Sequence, residues 1–334
     1  MKALIFISTL LYVTLLHASS FDKIHLDAEI KHPTNPAQLG HGNFAKNVPQ
    51  RHAWPFALLS IGHSMSSYQN YGGEPYFHHG LDIRGEAMQE VRASVGGEVV
   101  NIENYSFGEL YWEIAIRDDD GFLWQYHHVD HNTIPQAVKD AFKSHGRIET
   151  GDLIGKIVRW PVSSFGEYYN HIHLNILDGE GRYLNPFAFL DRLADDKSPE
   201  IVAIKILKNG RSQSTSTVSG NYQFSLEVRD LVLHDKFILP PYRMSYSIDN
   251  QKEETLWQFD SLPGGASRTD FVHDLYVARE TCGNYTCRKL VFNLGFSKSG
   301  DRSFPQSRGA HTLNVTVWDY AGNHSSASFE YQVN

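Results

Sequence analysis

The sequence predicts a mainly β protein, an antiparallel-sheet domain followed by a β-sandwich, and three observations lead there. Apolar and polar residues alternate in short runs, as in Tyr222, Phe224, Leu226 and Val228, which puts the apolar set on one face of a strand. Turn residues such as Asp118-Asp119-Asp120-Gly121 separate these runs at fairly regular spacing. Helical patterning is confined to two stretches, 134–144 and 185–194.

Taken in order, the chain opens MKALIFISTLLYVTLLHASSFD, in which Lys2 precedes an apolar run and then the small residues Ala18, Ser19 and Ser20. This pattern predicts a signal peptide over 1–20 and hence export to the periplasm or the medium. Residues 21–50 are rich in Pro, Asn and His without periodicity and are expected to form an extended arm. From 91 onward "VRASVGGEVVNIE", "LYWEIAIR" and "GFLWQYHHV" read as strands, the last two joined by the aspartate turn. A helix is expected over Ile134–Ser144, "GDLIGKI" and "HIHLNIL" resume extended chain, and Asn185 and Pro186 start a second helix. Charge and proline in "DDKSPE" mark a domain boundary, dividing a first domain at 51–195 from an accessory sandwich at 199–334. The closing "VWDYAGNHSSASFEYQV" resembles the last hairpin of immunoglobulin-like modules.

Composition narrows the partners. With 334 residues the chain exceeds what one core usually organises, which favours two domains. A net charge of -8 argues against nucleic acid or an anionic membrane as the main partner. The opening apolar run is shorter than a bilayer span needs, and no later run approaches one. The only cysteines, Cys282 and Cys287, flank a Gly-Asn turn signal and are expected to clamp a hairpin as a disulfide.

The chemistry-bearing residues are histidines and an aspartate. In "YFHHGLDI", counting in twos along a strand puts His78 on the face of Asp82 and turns His79 away. The same count places His171 and His173 of "NHIHLNI" on one face. It also pairs Tyr126 with His128 and leaves His127 opposite. A His/His/Asp set suits a tetrahedral zinc ion with an open fourth position. Any one of these pairs alone is weak evidence, since the chain has 18 histidines.

Their order is more informative. "FHHGLDI", "VRASVGGEVV", "QYHHV", "GDLIGKI" and "HIHLNI" together resemble the lysostaphin-like, LytM-type zinc metallopeptidases of bacterial cell walls, over about Trp54 to Leu190. The resemblance implies one Zn2+ per chain held by His78, Asp82 and His173, with His128 and His171 as catalytic residues. It implies peptidoglycan stem or cross-link peptides as substrate. Two other readings stay open: a non-catalytic LytM-type module binding wall or a regulatory partner, and a secreted peptidase acting on Gly-rich proteins. The stretch "VRWPVSSFGEYYN" is longer and more aromatic than the family's compact turn, so cross-bridge specificity does not carry over.

Overall fold

A computed structural model describes residues 51–70, 77–106, 108–164, 166–249, 251–262, 275–282, 288–295, 304–305 and 307–334. The expected signal peptide, the arm and Cys287 lie outside the described residues. Among the described residues, no helix is long and apolar enough to cross a membrane.

The fold is mainly antiparallel β. After a one-turn helix α1 (Ile61–Ser64) come β1 (Met65–Tyr68), β2 (Leu81–Arg84), β3 (Glu90–Arg92) and β4 (Gly97–Asn104). They are followed by β5 (Trp112–Arg117), β6 (Leu123–His127), helix α2 (Gln136–Ser144), β7 (Arg147–Ile148) and β8 (Leu153–Lys156). A small hairpin of β9 (Ser163–Ser164) and β10 (Glu167–Tyr168) then leads to β11 (His171–Leu177) and β12 (Tyr183–Leu184). The main sheet runs β1-β2-β11-β6-β5-β4-β7, with β12 beside β11.

Alternation explains why this sheet carries both a core and a site. On β11, Ile172, Leu174 and Ile176 enter the apolar core with Trp124 and Tyr126 of β6, Ile114 and Ile116 of β5, and Leu81 and Ile83 of β2. The intervening residues of the same strands are Asp82, His173, His127 and Glu113, which face one another across adjacent strands. All four are buried. One sheet face is therefore an apolar core and the other a buried polar row.

Both helix expectations need correction. Ile134 precedes Pro135, which disfavours helical backbone at the residue before it, so Ile134 is extended and α2 starts at Gln136. The stretch after Asn185 is only a single 3-10 turn, Pro186–Ala188, capped by the Asn185 side chain. Phe187, Ala188, Phe189 and Leu190 are all buried, leaving no polar stripe for an amphipathic helix.

The C-terminal part comprises β13 (Glu200–Lys208), β14 (Arg211–Gln213), β15 (Thr217–Val218), β16 (Gln223–Val232), β17 (Phe237–Leu239) and β18 (Arg243–Ile248). It continues with β19 (Glu254–Gln258), β20 (Ser261–Leu262), β21 (Val291–Asn293), β22 (Gly309–Trp318) and β23 (His324–Val333). Two sheets, β14-β13-β16-β17 with β21 and β15-β23-β22-β18-β19, enclose a core containing Phe224, Leu226, Val228, Met244, Leu313 and Val315. This is the sandwich that the alternation predicts. Cys282 pairs with Lys289 across an isolated bridge, as a hairpin would require, and its expected disulfide partner is the undescribed Cys287.

The two parts share side chains. Val232, Leu233, Phe237 and Leu239 pack into the N-terminal core, while Phe77, Leu177 and Tyr183 pack into the sandwich core. Strand β12 pairs with β20, and the Tyr276 hydroxyl donates to the Gln69 carbonyl at 3.0 Å.

Candidate metal centre and active site

Three donor atoms converge at the edge of the polar face. His78 Nε2 lies 3.1 Å from Asp82 Oδ1, His173 Nδ1 lies 3.0 Å from the same oxygen, and the two ring nitrogens are 3.0 Å apart. A tetrahedral zinc ion with bonds of about 2.0–2.1 Å places its ligand atoms roughly 3.3 Å apart, so this nearly equilateral triangle fits after a slight opening. The donor set, two imidazoles and one carboxylate, is the chemistry zinc takes.

Each donor is aimed by local structure. Asp82 and His173 are direct cross-strand partners on β2 and β11. His78 precedes β2 rather than lying on it, and its N–H donates to the Asn70 carbonyl at 3.1 Å. The counting argument therefore does not apply at 78–79. His79 is buried against the Tyr183 ring, with centroids 4.1 Å apart, and its own ring lies 5.6 Å from that of His173. Gly80 is required between them, because a Cβ there would sit 2.3 Å from both His173 Nε2 and Asn175 Oδ1.

The second correction concerns "QYHH". Tyr126 is not on the site face: it is fully buried in the core, where its hydroxyl accepts from the Ser94 N–H at 2.9 Å. His127 faces His173 directly, ring centroids 5.1 Å apart. His128 then adopts a left-handed backbone, φ 67. Val129, not His128, bonds the Trp112 carbonyl, so His128 is the extra residue of a bulge. This turn brings the His128 ring to 4.6 Å from that of His171, and both histidines of the doublet lean toward the site.

His128 and His171 are oriented alike. Nδ1 of His128 donates to the Leu110 carbonyl and Nδ1 of His171 to the Tyr169 carbonyl, each at 2.7 Å, so each keeps its Nε2 lone pair. His171 Nε2 lies 3.7 Å from Asp82 Oδ1. Burial, then the neighbouring His171, holds His128 well below the ordinary imidazole range. Burial pushes His171 down to about 4 although Asp82 opposes it. Burial also lowers His173. Asp82 behaves differently: burial disfavours its charge, yet the adjacent His78, His171 and His173 keep its carboxyl well below the usual range. At neutral pH His128, His171 and His173 are thus neutral beside an ionised carboxylate.

These shifts fix a sign. The unfolded chain protonates His171 near 6.5 and the folded chain only near about 4, so lowering pH between those values favours the unfolded state. Metal-free protein is expected to lose thermal stability steadily across that window. Calorimetry showing a constant Tm from pH 6.5 to 4 would contradict the buried, neutral assignment.

Supporting residues had no signal in the sequence. The Tyr169 hydroxyl donates to Asp82 Oδ2 at 2.7 Å, leaving Oδ1 to the cluster, and burial followed by the Asp82 charge raises its pKa well above the ordinary value, so it keeps that proton. His173 Nε2–H faces Asn175 Oδ1 at 2.9 Å, Asn175 Nδ2 donates to His127 Nε2 at 3.0 Å, and His127 Nδ1 lies 3.4 Å from Glu113 Oε2. This chain fixes the His173 tautomer and leaves the Nδ1 lone pair for a metal. Tyr169→Phe is expected to weaken zinc binding by about 10–100-fold while preserving the fold. Competition against a zinc-buffering chelator measures this, and unchanged affinity would show that Tyr169 does not hold Asp82.

Part of the chain is similar to known proteins. Residues 76–186 match the model of Peptidase family M23. Solved structures similar to this chain include one from Pseudomonas aeruginosa described within peptidase M23, at 17% identity and TM-score 0.28, covering 45% of this chain and 58% of that one. A variant catalytic domain of the prophage-encoded M23 protein EnpA from Enterococcus faecalis shows 20% identity and TM-score 0.28, covering 40% and 95%. The catalytic domain of the antimicrobial peptidase lysostaphin from Staphylococcus simulans shows 22% identity and TM-score 0.21, covering 35% and 77%. No curated protein matches the chain. The matched segment, about a third of the chain, contains His78, Asp82, His128, His171 and His173, and over it the chain is similar to peptidase family M23.

Proposed function

We propose that this protein is an exported zinc metalloendopeptidase that hydrolyses peptide bonds in peptidoglycan stem or cross-link peptides. The observation that carries this reading is the triangle of His78 Nε2, Asp82 Oδ1 and His173 Nδ1 beside two neutral histidines with available Nε2 lone pairs. Export rests on the opening apolar run, and the wall-peptide substrate on the family resemblance of the five motifs.

In this reading His78, Asp82 and His173 hold the ion. When bound, zinc supplies a Lewis acid and a water made acidic enough to act as nucleophile at neutral pH. His171 Nε2 and His128 Nε2 accept or return a proton at the reacting centre, and the protonated form of either steadies the oxyanion by hydrogen bonding. Their low pKa values keep them free to accept at neutral pH. Trp160, with its ring 4.8 Å from His128 and 5.0 Å from His171, limits water on that side. Asp82 stays charged and fixed by Tyr169, and Asn175 prevents the His173 ring from turning.

The test is to incubate zinc-loaded protein with isolated sacculi, and separately with casein and elastin, and to analyse the fragments by mass spectrometry. Peptide-bond cleavage within wall peptides supports the proposal. Cleavage of elastin or casein alone transfers the chemistry to a protein substrate, and no cleavage by protein that retains zinc points to a binding module.

A further inference from the structure

A second cluster of potential ligands lies at the junction of the two parts. Asp195 follows the last turn of the N-terminal part, Asp230 is on β16, and Asp319 immediately follows β22. One carboxylate oxygen from each lies within 4.8 Å of the others. Acidic side chains gather on many surfaces, but two further features set this group apart. Asp230 is only 3% exposed, and no hydrogen bond or ion pair engages its carboxylate among the described residues. Tyr68, also 3% exposed, lines the same cavity as the three aspartates, and its hydroxyl has no hydrogen-bond partner among the described residues. Buried polar groups left unsatisfied are costly, so an unpartnered carboxylate and an unpartnered hydroxyl on two residues lining one cavity point to a ligand.

The two flanking aspartates are already oriented. Asp319 Oδ1 accepts from the N–H groups of Gly322 and Asn323 at 2.7 and 2.9 Å, and its Oδ2 accepts from Asn323 Nδ2 at 2.8 Å. Asp195 Oδ1 accepts from the Lys197 N–H at 3.2 Å. The nearby Lys197 ammonium does not neutralise the group, since it pairs with Asp235 at 2.8 Å. Burial pushes Asp195 up to about 6 and raises Asp230 and Asp319, Asp230 well above the carboxylate range. Two buried acids and the half-buried Asp195 therefore have no salt-bridge partner among the described residues.

We propose that Asp195, Asp230 and Asp319 bind a calcium ion that clamps the linker, β16 and the β22–β23 turn together. All candidate donors are hard oxygens, which excludes the imidazole preference of the zinc centre. Bonds of 2.3–2.6 Å let two oxygens on one calcium stand up to about 5 Å apart, whereas bonds of 2.0–2.1 Å to magnesium allow only about 4.2 Å. Carboxylate oxygens that lie within 4.8 Å of one another are within reach of one calcium ion. The ion would also hold the interface, because Tyr320, next to Asp319, stacks on Phe187 with centroids 5.2 Å apart.

The test uses the full chain, desalted into calcium-free buffer, with calcium chloride as the only addition. Calorimetric titration is expected to show one calcium per chain, and a concentration about 100-fold above Kd to raise Tm by roughly 5 °C. The response is expected to persist in His173→Ala, which separates this site from the zinc centre. Asp230→Asn supplies a reversal of order: without calcium it relieves charge crowding and melts at or above wild type, and with calcium it melts below. Asp195→Asn gives an independent second variant with the same lost response. A wild-type protein that binds no calcium, a response abolished by His173→Ala, or an Asp230→Asn protein that binds calcium like wild type each overturns the proposal.

Discussion

Replacing His173 by alanine is expected to leave less than about one tenth of the wild-type zinc content and no measurable peptidase activity, because a three-ligand site has no spare donor. Asp82→Ala and His78→Ala should do the same. The three atoms meet within 3.0–3.1 Å of one another, and His127 and Asn175 are committed to other partners. Asp82→Ala should have the largest structural effect of the three. It removes the one carboxylate faced by His78, His171 and His173 and the acceptor of the Tyr169 hydroxyl, leaving that buried donor unpaired. Metal analysis of purified variants, with circular dichroism to confirm folding, checks all three. Full zinc occupancy in a folded His173→Ala protein would refute the centre.

His128→Ala and His171→Ala are expected to keep the metal and lose about 10²–10⁴-fold in kcat, the usual scale for removing a proton-transfer or oxyanion partner. KM should change little, since neither imidazole is needed to hold the peptide. His127→Ala supplies the control that distinguishes this geometry from simple strand counting. Counting in twos turns His127 away from the site and predicts no effect, whereas its bond to Asn175 and approach to Glu113 predict a zinc affinity about 10–100-fold weaker. His79→Ala should lower stability by loss of its packing on Tyr183 while zinc content stays at the wild-type level. A His128→Ala protein that loses its zinc would make His128 a ligand and break the division of roles.

The calcium proposal and the zinc centre make separable claims on one molecule. The proposed zinc centre draws its residues from β2, β11 and the segment before β2, and the aspartate cluster from the linker and the sandwich. The shared cores nonetheless couple the two parts, since Leu233 and Phe237 pack with the N-terminal core and Phe77, next to His78, packs with the sandwich. Loosening the junction is therefore expected to be felt near His78.

What the sequence by itself determined is the set of strands and the chemistry they carry. Alternation in "HIHLNI" sets His171 and His173 apart from Ile172 and Leu174, and the structure keeps the first pair toward the site and the second in the core. That pattern is legible because a strand must send successive side chains to opposite faces. Local backbone departures decided the rest. A left-handed residue at His128 and a non-strand conformation at His78 and His79 break the two-residue period, and no alternation rule registers where a strand stops. Cross-strand register, which places Asp82, His173, His127 and Glu113 in one row, depends on pairing residues up to 91 positions apart. Tyr169, Asn175 and the aspartate cluster acquire their meaning only from such long-range contacts. Spacing in the sequence carries no trace of them, because their partners are chosen by packing rather than by neighbourhood along the chain.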